Sequence, residues 1–244
     1  IGESEKIALR HAIDYVEAII NADVSRVDGI EKNPVRVRAL LRSLSRNIST
    51  LATIRTIHDD IAMGDADESI SEKTISQYLG ALDRIFVTEN LPAWNPALRS
   101  KTAIRTSPKR QFVDPSIAAA VMRLTPSRLL EDFNYFGFLF ESLCDRDLRI
   151  YAEAIDGQVF HYRDGSGLEA DAVIALNDGR WAAVEVKLGS KEIEDAAVHL
   201  LELKNKVNTE KMREPSFLMI LTGTEIAYRR EDGVYVVPLG CLKD

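Results

Sequence analysis

Hydrophobic residues follow a helical period through the first part of the chain and change to short apolar runs further on. Residues 4–22 place apolar side chains close to a 3.6-residue repeat, which predicts an amphipathic helix. Pro34 suits the first turn of a second helix, in which Leu40 and Leu44 belong to one apolar stripe. A third helical segment is expected after Ser49. The pattern therefore predicts a helical bundle at the start of the chain.

A further helix is predicted after Ser71, and the strand-like segment IFVTENL follows it. This order resembles the second helix and the wing of a winged helix-turn-helix. In that interpretation Thr74 and Gln77 present small polar groups to a nucleic-acid groove. The same pattern also occurs in helical bundles and winged helices that contact only protein, so both interpretations stay open.

Beyond Arg149 the pattern is typical of strands. The segments IYAEAID, VFHYRD, LEADAVIAL and RWAAVEVKL alternate with glycine-containing turns, a helix is expected after Gly189, and SFLMILTG predicts a buried strand. The segments EIAYRR and GVYVVPL predict a closing hairpin. Together with the upstream helices, including an apolar one at 129–148, these elements predict an α+β fold with a mixed sheet flanked by helices.

The composition narrows the class of protein. A chain of 244 residues with 45% hydrophobic and 28% charged residues is typical of a globular protein, and no apolar run is long enough to span a bilayer. Cys144 and Cys241 are too far apart in the sequence for a disulfide framework or a paired zinc motif. These observations, with no signal peptide at the start, predict a cytoplasmic protein without a membrane partner.

Two basic windows stand out against the formal net charge of −7. Residues 31–58 and 99–128 each contain several lysines and arginines and a single acidic residue. Such windows suit phosphates or an acidic partner, although a solvated helix face and a basic loop would show the same composition. The residues predicted to contact DNA or RNA are Arg99, Lys101, Arg105, Lys109, Arg110, Thr74 and Gln77.

The candidate chemistry lies in the segment 167–189, which predicts two strands joined by a tight turn. Asp171 lies on the first strand, and Glu185 and Lys187 lie two residues apart on the second, so the latter two share one face of the sheet. Burying charged groups among apolar neighbours is costly. The three residues therefore predict either a functional site or a buried network of ion pairs.

The order of helix, three strands, helix and strand, with these charged residues, resembles the PD-(D/E)xK nuclease-like fold. The resemblance is carried by Glu141 in FLFESL, Asp171 in LEAD, and Glu185 and Lys187 in VEVKLG. It implies that Asp171, Glu185 and Lys187 are catalytic and that Asp171, Glu185 and Glu141 bind Mg²⁺ or Mn²⁺. Lysine would position the attacking water and offset phosphate charge.

Nearly the whole chain also resembles the C-terminal region of bacterial and archaeal AAA-type ATPases that end in a domain of unknown function. The motif G-x-x-x-x-G-K-[ST] is absent from the sequence, so the resemblance implies an ATPase domain upstream in a longer protein. The predicted parts are a helical and winged-helix domain at 1–98, a basic linker with a short strand and helix at 99–128, and a nuclease-like domain at 129–244. Two functions remain open: a metal-dependent nuclease, or an inactive module that binds nucleic acid or a protein partner.

Overall fold

A computed structural model describes residues 4–27, 32–64, 70–95, 107–207 and 212–243. The chain divides into two units. The first comprises Ile1–Asn90 and Lys109–Ser142, and the second comprises Leu91–Pro108 and Leu143–Asp244. The three-part division predicted from the sequence stays a prediction, and the units divide the chain at other positions because residues 109–142 pack with the N-terminal helices.

The first unit is helical, and proline and small polar residues begin several of its helices. Asn33 caps α3 by accepting hydrogen bonds from the amides of the first turn, and Ser71 and Asp114 do the same for α5 and α6. Pro34 occupies the first turn of α3, as predicted, and Pro115 occupies the first turn of α6. The helices are α1 (Glu5–Ala18), α2 (Val24–Arg26), α3 (Pro34–Arg46), α4 (Ile54–Gly64), α5 (Glu72–Arg84), α6 (Pro115–Val121), α7 (Pro126–Glu131) and α8 (Phe133–Glu153). Residues of α8 from Leu143 onward belong to the second unit.

One face of each longer helix supplies the core of the first unit. The predicted stripe of α3 is confirmed, since Leu40 and Leu44 are buried together with Ile57 of α4 and Leu82 of α5. A π-helical turn, Ile19–Asp23, joins α1 to α2 and buries its two isoleucines. Among the described residues, no helix combines the length and the apolar character needed to cross a membrane.

Among the described residues, the strand-like segment after α5 forms no continuous pairing with another strand. Thr88 and Phe112 form an isolated antiparallel bridge. Further backbone hydrogen bonds join Glu89 to Gln111 and Val113 to Val87 on either side of it. The segment predicted to form a wing is therefore held by a few backbone contacts with residues 111–113, inside the first unit.

The second unit is built on a six-stranded mixed sheet with the order β1-β2-β3-β4-β6-β5. Strands β1, β2 and β3 pair antiparallel, β3, β4 and β6 pair parallel, and β5 pairs antiparallel with β6. The predicted α+β fold, with helices followed by a mixed sheet, is confirmed. The elements are β1 (Gly157–Arg163), β2 (Glu169–Leu176), β3 (Trp181–Lys187), α9 (Ile193–Lys206), β4 (Leu218–Thr222), β5 (Tyr228–Arg229) and β6 (Tyr235–Pro238).

Both tryptophans of the chain lie in the core of the second unit. The rings of Trp94 and Trp181 are 4.8 Å apart between centroids, and the Trp181 indole donates a hydrogen bond to the Arg213 carbonyl. Buried side chains of α9, such as Leu200, belong to the same core. Strand β3 is buried along most of its length, as a strand in the middle of a covered sheet should be.

Candidate active site on strands β2 and β3

The candidate site lies where the ladder between β2 and β3 ends. The paired register runs as far as Ala172 opposite Val184, so the next pair along the strands is Asp171 and Glu185. Beyond that point the Asp171 carboxylate accepts a hydrogen bond of 2.7 Å from the Val186 amide. A side chain thus satisfies a backbone donor of β3 and fixes the Asp171 carboxylate beside that strand.

One ammonium group is shared by two carboxylates at this point. The Lys187 Nζ lies 2.8 Å from Glu185 Oε2 and 3.7 Å from Asp171 Oδ2. The structure therefore brings together the three residues that the sequence predicts to be catalytic. Their side chains differ in exposure, at 3% for Glu185, 19% for Asp171 and 25% for Lys187, so solvent reaches the lysine while the glutamate lies beneath it.

The pKa of Glu185 differs strongly from its ordinary value. Burial, and secondarily the Asp171 charge, raise the pKa of Glu185 to about 8, and the nearby Lys187 only partly offsets this rise. Its Oε1 is buried without a hydrogen-bond partner, although Oε2 contacts the lysine. Below this pKa Glu185 is a neutral carboxyl group, and a side-chain hydrogen bond with Asp171 also favours the protonated form. The arrangement leaves one buried acceptor ready for a further cation or donor.

Strand β4 supports the site through residues that no sequence motif marks. Thr222 is fully buried, pairs in register with Lys187, and exchanges a hydrogen bond of 2.7 Å with the Thr224 hydroxyl. At Gly223 an added Cβ would lie 2.8 Å from the Leu188 carbonyl oxygen, so the chain passes too close for a side chain. The only sequence signal is a glycine that follows an apolar run after a single threonine.

Glu141, the predicted third metal ligand, belongs to the first unit. Its Oε1 lies 2.6 Å from the Lys109 ammonium, and the two side chains are 15% and 7% exposed. No sequence motif marks Asp145, which lies one helical turn further along α8. Asp145 is fully buried in the second unit. A role of Glu141 in metal binding stays a prediction.

The residues predicted to bind nucleic acid fall into three groups. Arg99, Lys101 and Arg105 lie outside the described residues. Lys109 and Arg110 are buried in the first unit, where Lys109 contacts Glu141 and the Arg110 Nε donates to the Ala52 carbonyl. On α5, Gln77 is exposed, whereas Thr74 is half-buried and its hydroxyl bonds with that of Ser71. Nucleic-acid binding by these residues stays a prediction.

The donor set of the candidate site suits a hard divalent cation. Mg²⁺ is commonly held by one or two carboxylates and completes its shell with water, and Asp171 and Glu185 supply two such groups. The buried Oε1 of Glu185 lacks the partner that a cation would provide. Within the described ranges, no group of three or more His, Cys, Asp or Glu side chains has metal-binding geometry. A cation here would therefore rely on few protein ligands.

A comparison with models of protein families identifies the family of the chain. The family model described as "Domain of unknown function (DUF8612)" matches residues 3–128, more than half of the chain. The chain belongs to this family. A second model, "Domain of unknown function (DUF4143)", matches residues 136–242, which contain the candidate site.

Comparisons with individual proteins add little to this assignment. None of the curated proteins matches the chain. Among solved structures, it is similar to a chain of the refined half-complex from the tetradecameric assembly of Thermococcus gammatolerans McrB AAA+ hexamers with bound McrC. The identity is 11%, the match covers 85% of this chain and 72% of that chain, and the TM-score is 0.29.

Proposed function

We propose that the second unit is a divalent-metal-dependent phosphodiesterase that cleaves DNA or RNA. The observation that carries this proposal is the pair of carboxylates on neighbouring strands, Asp171 and Glu185, which share the ammonium group of Lys187. Two acids and a lysine at one end of a strand pair are the groups that this reaction class requires. The resemblance to the PD-(D/E)xK fold supports the same interpretation.

In this proposal Asp171 and Glu185 hold a Mg²⁺ or Mn²⁺ ion. When bound, the ion lowers the pKa of a coordinated water and stabilises negative charge on the phosphoryl group. The Val186 amide keeps the Asp171 carboxylate in place through its hydrogen bond of 2.7 Å. Glu185 must release its proton before its buried oxygens serve as ligands, because only the carboxylate form binds a hard cation well.

Lys187 has a separate role in this proposal. Without a cation its ammonium group lies beside the Asp171 carboxylate and the protonated Glu185 carboxyl group. Once a cation binds there, the quarter-exposed ammonium is available to donate hydrogen bonds to a phosphate oxygen or to the attacking water. Lysine suits this task because its three N–H donors rotate freely on a long stem.

The unit would act within a larger ATPase. The sequence resemblance to the C-terminal region of AAA-type ATPases supports an accessory role for this chain beside an upstream ATPase domain. Neither matching family has a described activity, so this assignment rests on the resemblance alone.

A second candidate function is a binding module without catalysis. It is favoured by the absence, among residues the structure describes, of a cluster of three metal-ligating side chains. In that case Asp171, Glu185 and Lys187 form a buried ion-pair network, and the chain recognises nucleic acid or a protein partner. The exposed surface of α5 around Gln77 would then be one candidate contact.

A cleavage assay distinguishes the two functions. The chain is incubated with end-labelled single-stranded and duplex DNA and with RNA, in Mn²⁺, in Mg²⁺ and in EDTA. The proposal predicts metal-dependent cleavage that is lost in Asp171→Asn and Lys187→Gln and kept in Glu169→Gln, an exposed acid on the same strand. Absence of cleavage by the unaltered chain, or equal cleavage by Asp171→Asn, contradicts the enzyme and favours the binding module.

A further inference from the structure

The helical first unit contains a cavity that is unrelated to the carboxylate site. It has a volume of 560 Å³ and is lined by residues of α1, α3, α4 and α6 and their neighbours. Binding sites for small molecules have volumes of roughly 300–1,000 Å³. All of the lining residues belong to the first unit, so the cavity is complete within that unit.

The floor of this cavity is aliphatic. Val16, Ile20 and Ile61 line it and are 3%, 2% and 5% exposed, so their side chains are held in the core. No aromatic residue is among the lining residues of this described region. Such a floor suits an alkyl chain better than a nucleotide base, which prefers aromatic or guanidinium planes for stacking.

The rim of the cavity is cationic. Its arginines are Arg38, Arg42, Arg46 and Arg123, and its acids are Glu17 and Asp60. Two arginines are compensated, because Arg38 binds Glu17 through paired contacts of 2.9 and 2.7 Å and Arg46 lies 3.2 Å from Asp60.

The other two arginines of the rim have no such direct contact with a carboxylate. Arg42 and Arg123 are exposed and form no direct ion pair or hydrogen bond with another described residue, although the charge of Arg123, after the contact with Arg38, helps to lower the pKa of Glu17. Arg123 adopts a backbone φ of 52°, in the left-handed region that arginine rarely occupies. Guanidinium groups without a directly bonded carboxylate, beside an aliphatic floor, provide a place for a negative charge.

A buried hydroxyl at the cavity also lacks a partner. Ser43 lines the cavity and is 2% exposed, yet its Oγ makes no hydrogen bond. A serine within a helix commonly bonds back to the carbonyl four residues earlier, as Ser45 does with Leu41 at 2.8 Å. An unsatisfied buried hydroxyl costs stability and indicates that a bound molecule would complete its hydrogen bonding.

We propose that this cavity binds a small organic anion with an aliphatic body and a carboxylate or phosphate head. The head lies between the guanidinium groups of Arg42 and Arg123, and the aliphatic body covers the floor formed by Val16, Ile20 and Ile61. Guanidinium groups bind both kinds of head through paired N–H donors, so the two chemistries share one site. Ser43 supplies the polar contact inside the cavity.

Isothermal titration calorimetry on the whole chain tests the site, with octanoate and octyl phosphate as probes. Both are expected to bind, and their relative affinities show which head is preferred. Octylamine has the same tail with the opposite charge and acetate has the head without the tail, so neither is expected to bind. No heat of binding from either octyl anion up to about 10 mM, or equal binding of octylamine, would overturn the proposal.

Amino-acid substitutions test whether the anion binds in this cavity. Arg42→Gln should weaken octanoate about tenfold, since a charge-assisted hydrogen bond is lost. Arg55→Gln, which changes an 82% exposed arginine of α4 outside the cavity lining, should leave the affinity unchanged. An unchanged affinity in Arg42→Gln would show that the anion binds elsewhere and would contradict the proposal.

Ser43→Ala provides an independent check that does not depend on charge. Because the hydroxyl has no partner in the free protein, its removal should leave the melting temperature unchanged or raise it. The same variant should bind octanoate less tightly, by roughly threefold to tenfold. A lower melting temperature with unchanged affinity would assign the hydroxyl a purely structural role and would overturn its part in the site.

Discussion

The ammonium group of Lys187 lies 2.8 Å from Oε2 of Glu185, whereas Oε1 of the same carboxylate is buried without a hydrogen bond. A buried carboxyl group usually has hydrogen-bond partners at both oxygens, because each unsatisfied oxygen costs free energy. This pair is therefore better suited to accepting another cation than to maximising stability. The predictions that follow test this interpretation and the packing around it.

Glu185 should make the second unit less stable as the pH rises. The folded state keeps the Glu185 proton up to about pH 8, whereas the unfolded chain releases it near its ordinary value of 4.5. Between these values the folded state binds the extra proton, so the free energy of unfolding falls by up to about 1.4 kcal/mol per pH unit. Glu185→Gln should remove most of this slope.

Tryptophan fluorescence follows this effect in the second unit alone, because both tryptophans of the chain lie there. Urea unfolding in EDTA is compared at about pH 5 and about pH 8 for the unaltered chain and Glu185→Gln. Glu169→Gln, an exposed acid at the start of β2, should keep the slope of the unaltered chain. Equal pH slopes in all three proteins would refute the raised pKa of Glu185.

Gly223 should tolerate no side chain. A Cβ at this position would lie 2.8 Å from the Leu188 carbonyl, so Gly223→Ala must push apart the ends of β3 and β4. The expected loss is about 1–3 kcal/mol in the free energy of unfolding, measured by tryptophan fluorescence in urea. Gly189→Ala has open space around its Cβ and should change stability by less than about 1 kcal/mol. Similar losses in both variants would contradict the steric argument.

The contact between Lys109 and Glu141 should be a structural ion pair of the first unit. Lys109→Met leaves the Glu141 carboxylate buried without this ammonium group, and breaking such a pair costs roughly 3–5 kcal/mol. The double variant Lys109→Met, Glu141→Met should regain most of the loss, as far-UV circular dichroism in urea would show.

Lys73→Met is the matched control for this ion pair, since Lys73 is an exposed lysine on α5. It should leave the stability within about 0.5 kcal/mol of the unaltered chain. If the double variant is as unstable as Lys109→Met alone, the stability of the first unit does not depend on the pairing of these two charges.

Most of the sheet and its charged residues were predictable from local pattern, but the prediction of a strand at IYAEAID was wrong, because Ile150 to Glu153 form the end of α8. Glu185 and Lys187 are two residues apart on a buried strand, and the strand period alone places them on one face. The glycine-containing turn before β3 makes β2 its antiparallel neighbour, which brings Asp171 to the same place. These contacts follow from spacing within 20 residues or so of sequence, a range over which turn chemistry is informative.

Contacts across long sequence separations were not predictable in the same way. Lys109 and Arg110 belong to a basic window that suggests an exposed surface, yet the fold buries them against Glu141 and Ala52. The composition of a segment gives its charge but not its exposure to solvent. The partners of Lys109 and Arg110 are 32 and 58 residues away in the sequence. The steric limit at Gly223 likewise depends on the neighbouring chain at Leu188, and the glycine itself is the only local signal of it.

The most direct test of the carboxylate site is a titration of the whole chain with Mn²⁺ and Mg²⁺, with thermal unfolding of the second unit followed by tryptophan fluorescence. A cation held by Asp171 and Glu185 stabilises the folded state by mass action, so the melting temperature should rise by about 5 °C at tenfold excess over the dissociation constant. The rise should vanish in Asp171→Asn and persist in Glu169→Gln. An unchanged melting temperature in the unaltered chain, or the same rise in Asp171→Asn, would contradict the proposed metal site.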